Sequence, residues 1–152
     1  MKALLVLLPG IAAFVLVGTA AIRTGEGDAQ SPQVLTRHIH ARATSFVQTD
    51  TGKKGPSAGD VATFTHTLTE GGKRVGRDQG YCVRILTRTS ECAMTTFLGG
   101  GQIMVAGPFN DVGRNRLAIT GGTGTYAHTQ GTLVARRAGF FRLDLTYYLS
   151  AG

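Results

Sequence analysis

Phe64 and His66 stand two positions apart in a run of alternating residue types. On a strand, residues i and i+2 share a face, so an apolar ring and an imidazole would line one wall together. Imidazole accepts and donates protons near neutral pH. His66 is therefore the candidate catalytic residue, suited to polarise the oxygen of an epoxide, an enone or a carbonyl group. A hydrogen-bonded core histidine with no chemistry is the alternative, and the sequence leaves both open.

The two cysteines, Cys82 and Cys92, flank a predicted hairpin whose turn falls near residues 87–90. In an oxidising compartment they would be a disulfide candidate. An even-numbered loop would put them on opposite faces of the sheet, and a direct bridge would then need a bulge. As a free thiol, Cys82 shows no neighbour that would lower its pKa, so a lining or bonded cysteine is the expectation rather than a nucleophile. His38 and His40 share a face, and with His66 and Cys82 they would suit zinc or copper. No carboxylate at ligand spacing supports that cluster, so we assign no metal and no cofactor and expect both histidines on the outer wall. Arg84 has the parity of Cys82 and would meet a ligand carboxylate if it faced inward; the outer wall is an equal alternative. His128 reads as a turn residue.

The elements that must position these residues are strands. Residues 60–69 set Val61, Thr63, Thr65 and Thr67 against Ala62, Phe64, His66 and Leu68, and the second set is read as inward. A hairpin turn at residues 70–73 leads into a long bent strand over 74–87, then strands over 91–98 and 102–109. Residues 117–119 run into Gly121, Gly122 and Gly124, read as a tight corner before a returning strand at 131–135. No phosphate-loop signature follows those glycines. The last strand, over 140–149, sets Phe141, Leu143, Leu145 and Tyr147 against Phe140, Arg142, Asp144 and Thr146. About eight strands with turns between them and no amphipathic helix predict an antiparallel barrel or sandwich; a closed barrel removes the edges and leaves a lumen for one small ligand.

Composition agrees with an all-β domain: 152 residues, 42% hydrophobic, 22 glycines, no tryptophan and only 16% charged residues. The chain carries a formal charge of +7, with a pI near 10.0. Its basic residues are dispersed, as in Lys53-Lys54, Lys73-Arg74 and Arg136-Arg137, with no interleaved aromatics, so nucleic acid is not the expected partner. Residues 1–22 combine Lys2, an apolar run and the small residues Gly18, Thr19, Ala20 and Ala21, which predicts a secretory signal or an uncleaved anchor. Residues 23–33 are read as a linker and 34–152 as the barrel domain, working in a secreted or extracytoplasmic location.

From about Val34 to Leu149 the chain resembles the plant allene oxide cyclases and, more distantly, the dirigent proteins. The resemblance rests on Gly59-Asp60, Phe64-Thr65-His66, Val75-Gly76, Gly80-Tyr81-Cys82-Val83, Gly107-Pro108-Phe109 and the run from Leu117 to Gly124, with Gly76-Arg77-Asp78-Gln79-Gly80 closer to the dirigent form. It implies an antiparallel eight-stranded barrel. It also implies an exported isomerase or cyclase that confines a reactive small apolar precursor, whether epoxide, enone or phenolic intermediate, and directs its stereochemistry; a non-catalytic ligand-binding barrel is the alternative. Carried over by position, the cyclases' lumenal phenylalanine falls at Phe64, their lumenal asparagine at His66 and their lumenal cysteine at Cys82. Their first-strand Glu-x-Asn pair falls at Ser45 and Val47, or on a looser shift at His38 and His40. Their two tyrosines fall at Phe109 and Val112, so the plant carboxylate and phenol have no counterpart. Ligand-binding residues are expected at Phe64, Cys82, Ser45, Val47 and Phe109, and the resemblance implies a homo-oligomer.

Overall fold

The computed structural model describes residues 33–151. The signal, the anchor and all but the last position of the linker lie outside the described residues. Eight strands follow one another: β1 (Val34–Thr49), β2 (Val61–Glu70), β3 (Lys73–Leu86), β4 (Thr89–Leu98), β5 (Gly101–Asn110), β6 (Arg114–Gly124), β7 (Thr129–Gly139) and β8 (Arg142–Ala151). Each pairs antiparallel with the next and β8 pairs back onto β1, which closes the barrel. Closure gives every backbone ladder a partner and leaves no edge open to another chain.

The alternation read from the sequence is what makes the lumen. Leu68, Ile39, Ile103, Val105, Leu133, Leu145 and Tyr147 are all at most 1% exposed, and each is followed along its strand by a residue turned toward solvent or the outer wall. Burying an aliphatic side chain of this size contributes roughly 1.5–3 kcal/mol, so this inward set is the main source of stability. Among the described residues there is no helix.

Two predicted turns lie elsewhere. Phe140 and Phe141 do not open β8; they form the two-residue β7–β8 turn, with Gly139 paired to Arg142. The glycine run is not itself the corner either. β6 continues to Gly124, and the turn spans residues 125–128, where His128 takes a left-handed φ of 61°. The run instead allows close approach: a Cβ on Gly122 would come 2.1 Å from the Tyr126 carbonyl oxygen. β6 also bulges here, since Ile119 pairs with Val105 and Gly121 with Met104.

The connections β1–β2, β3–β4, β5–β6 and β7–β8 lie at one end of the barrel, here called the rim. The opposite end is closed by side chains. Arg37 bonds the Glu70 carboxylate and also donates to the Tyr126 hydroxyl at 2.8 Å, which ties β1, β2 and the β6–β7 turn together.

Candidate functional site

Residues 62, 64, 66 and 68 of β2 face the lumen, and β3 lies antiparallel beside them with Ala62 opposite Cys82, Phe64 opposite Gly80 and His66 opposite Asp78. Partners directly opposite on adjacent strands share a face, so Asp78 is also lumenal. Its carboxylate Oδ1 lies 2.6 Å from His66 Nδ1, with Asp78 fully buried and the His66 side chain 7% exposed. A carboxylate at Nδ1 favours the tautomer with hydrogen on that nitrogen, which leaves Nε2 as an acceptor. His66 Nε2 makes no hydrogen bond to the described residues. The pair therefore has the layout of an oriented acid–base group: a buried carboxylate behind an imidazole whose other nitrogen is free.

A second polar pair lies in the same buried belt. Thr96 of β4 sits opposite Asp78, and its hydroxyl is 2.7 Å from the Tyr147 hydroxyl, which reaches it from β8 across the lumen. Both residues are 0% exposed. Burial pushes the Tyr147 phenol well above its usual range, the Thr96 hydrogen bond pulls it down, and the Asp78 charge pushes it up again, so it stays a neutral hydroxyl. His66, Asp78, Thr96 and Tyr147 thus form a polar belt across the middle of the lumen. Of these, only His66 retains contact with accessible space.

Toward the rim the lumenal face mixes aromatic and disulfide groups with the polar Arg84 and Asn115, which share the parity of Cys82 and Leu117. The Phe64 ring packs 5.1 Å from the His66 ring and lies over Gly80. Phe109 faces inward, partly buried against the core, with the Arg137 guanidinium 5.9 Å from its ring centroid. Cys82 faces inward too, but as half of a disulfide with Cys92, its direct cross-strand partner. The two-residue turn at 87–88 is even-numbered, so the bridge needs a bulge, and Ile85 is the extra residue that supplies it. No thiol is available for nucleophilic chemistry at either position.

Ser45 and Val47 do not line the lumen. Ala43 pairs with His66, but Ser45 pairs with Thr65, so Thr44 is an extra residue in β1. A bulge of one residue exchanges the faces beyond it. Phe46, opposite Phe64, takes the inward side there, while Ser45 and Val47 join Thr65 and Thr63 on the outer wall. The looser shift fares no better as a lumenal set. His38 and His40 are exposed on the outer wall, beside Thr146 at 3.3 Å and Asp144 at 2.9 Å. They cannot join His66 in a cluster, and no group of three potential metal ligands occurs among the described residues. Val112, at the position of the second cyclase tyrosine, is 67% exposed at the rim, and Arg84 is bound to Asp111 there.

The family model described as the allene oxide cyclase barrel-like domain matches residues 39–147, from the first buried strand to the last. The chain belongs to this family. The chain is similar in structure to a pyocyanin demethylase at 28% identity and TM-score 0.70, covering 76% of this chain and 99% of that one. It also shares its fold with the pterocarpan synthase dirigent protein GePTS1, at 15% identity and TM-score 0.68, covering 94% and 97%. A third such structure is the Diels Alderase AbmU from Streptomyces koyangensis, at 12% identity and TM-score 0.65, covering 82% and 71%. A search of curated protein sequences finds no match.

In this allene oxide cyclase-like barrel, the residues that sequence reasoning missed are Asp78, Thr96 and Tyr147. Asp78 stood inside one of the words that carried the resemblance, and counting back by twos from Cys82 through Gly80 gives its inward parity. Tyr147 was grouped with Leu143 and Leu145 on one face of β8, with neither a side nor a role assigned. Thr96 carried no signal, because a threonine is equally at home on either face of a strand.

Proposed function

We propose that this barrel is an exported isomerase or cyclase: it confines a small, reactive apolar precursor against the His66–Asp78 pair and directs the stereochemistry of its rearrangement. The observation that carries this reading is the 2.6 Å contact between a fully buried carboxylate and an imidazole whose Nε2 is left free. His66 Nε2 takes a proton from, or returns one to, an oxygen or an acidic carbon of the ligand, while Asp78 holds the ring and stabilises the imidazolium formed. Phe64 and the wall near the rim exclude water and limit the conformations open to the precursor, which is how confinement selects one product.

The named activities of the similar structures support small-molecule chemistry in such a lumen, since one is a demethylase, one a dirigent protein and one a Diels Alderase. Export is supported by the apolar leader in the sequence and by the disulfide, which suits an oxidising compartment. Association of several copies has support in the outer wall, where a groove is bordered by the uncharged Thr63, Tyr81, Ala93, Met104 and Ala106.

The test gives purified protein a panel of epoxide, enone and phenoxyl-type precursors and reads product handedness by chiral chromatography. The wild type shifts the product ratio, and His66→Ala lowers the directed rate by about 10²-fold or more. Asp78→Asn, which keeps the side-chain size, lowers it comparably because the wrong tautomer is favoured. A product ratio equal to that without protein, together with retention of the ligand, would leave a binding barrel and remove the catalytic reading.

A further inference from the structure

We propose that the rim of the barrel docks on an anionic lipid surface, which places this end of the barrel at the headgroup region. Twelve large hydrophobic side chains are exposed on the described barrel, and seven of them lie at this one end: Phe46, Val47, Ile85, Leu86, Val112, Phe140 and Phe141. They come from all four rim connections or the strand ends beside them, so they are distributed around this end of the barrel. Phe140 is the extreme case, 90% exposed at the apex of a two-residue turn. Beside it, Phe141 holds a left-handed φ of 63°, at a position where glycine or asparagine would be cheaper. Neither ring stabilises the core: Phe141 touches Phe140 at 4.8 Å and Phe46 at 6.5 Å, all on the surface.

Charge identifies the occupant. Lys53, Lys54, Arg88, Arg114 and Arg142 are exposed at the same end, and none has an acidic partner among the described residues. The rim acids are mostly engaged. Asp60 is buried under its own loop and Asp111 lies between Arg84 and Arg137, while Asp144, further along the wall, lies between His40 and Arg136. Asp50 accepts from the Gly55 backbone, and Glu91 is the remaining acid. Apolar side chains among uncompensated cations match a lipid interface with anionic headgroups. Two copies meeting rim to rim would bring like charges together. Docking this way does not depend on what His66 does.

The chain has no tryptophan, so Phe140→Trp supplies a single reporter at the tip, in the full-length protein. With phosphatidylcholine vesicles containing phosphatidylglycerol, the indole emission shifts to the blue and is quenched by brominated lipid. The response is weaker on pure phosphatidylcholine and falls as salt rises from about 0.05 M to about 0.5 M. Adding Arg114→Ser and Arg142→Ser lowers vesicle affinity on the order of tenfold or more. Tyr148→Trp, on the outer wall near the closed end, stays unshifted under the same conditions and so controls for attachment through the amino-terminal segment. An unshifted indole at position 140 with phosphatidylglycerol present would overturn the proposal. So would an equal response on the neutral lipid, or a concentration-dependent shift without vesicles, which would mark self-association.

Discussion

Asp78 Oδ2 is buried and has no hydrogen-bond partner among the described residues. Leaving such an oxygen unmet costs on the order of 1–3 kcal/mol, and more when it is charged, which a fold retains where the oxygen has a use. Its sister oxygen holds His66, so the imidazole takes the one side-chain hydrogen bond that Asp78 makes among the described residues. Alternation alone put His66 and Phe64 on the lumenal face. The pairing of His66 with Asp78 was not legible in the same way, because cross-strand register depends on the turn at residues 71–72 and on a bulge that makes Val75 an extra residue. Gly80 tests how the site is packed. An added Cβ there would lie 2.7 Å from Phe64 Cζ and 2.5 Å from the Ala93 carbonyl oxygen. Gly80→Ala should therefore push Phe64 off His66 and destabilise the fold by about 1–3 kcal/mol, measured as a lower denaturation midpoint at unchanged slope. An unaltered midpoint would show that the wall has slack, and that Phe64 is not held against the imidazole.

At the scale of elements, single-residue bulges decide which side chains meet. Ile85 brings Cys82 opposite Cys92 on β3 and β4, and Thr44 turns Ser45 and Val47 outward on β1. Bulges leave little trace in composition: neither Thr44 nor Ile85 is a glycine, and each fits the β-propensity of its neighbours. The strand count and the inward set of β2 were legible because periodicity survives between bulges. Beyond each bulge the parity inverts, and the first-strand pair, carried over by position from the resemblance, falls on the outer side of one. The disulfide links positions ten apart across the β3–β4 hairpin. Closing a loop of that length restricts the unfolded chain enough to contribute about 2–3 kcal/mol. The Cys82→Ala, Cys92→Ala double variant should lose about that much stability in chemical denaturation, while far-ultraviolet circular dichroism stays that of a β-barrel. Loss of the β signal would instead mean that the bridge is required for β3 and β4 to pair at all.

For the whole molecule, closure replaces edges with two ends, and carboxylates tie both. At the rim, Asp60 accepts backbone N–H bonds from Ser57 at 2.7 Å and Thr51 at 3.0 Å, which fold the β1–β2 connection onto the barrel. Those bonds hold its carboxyl below the usual range. At the closed end, the hydrogen bond from Arg37 lowers the Glu70 carboxyl in the same way. On the wall between them, His40 and then Arg136 lower Asp144, which joins β8 to β1 and β7. A carboxyl that titrates lower in the folded chain than in the unfolded one binds fewer protons when folded. Its contribution is fully present above the unfolded value of about 4 and is lost as pH falls through the folded value. Stability should therefore hold between about pH 5 and pH 7 and decline steadily below about pH 4. Thermal melts across that range measure the decline, and Asp60→Asn should lower the plateau while flattening the acid slope. A profile level down to about pH 2 would mean that these carboxylates keep their bonds without contributing to stability, and that the apolar side chains of the lumen alone hold the barrel closed.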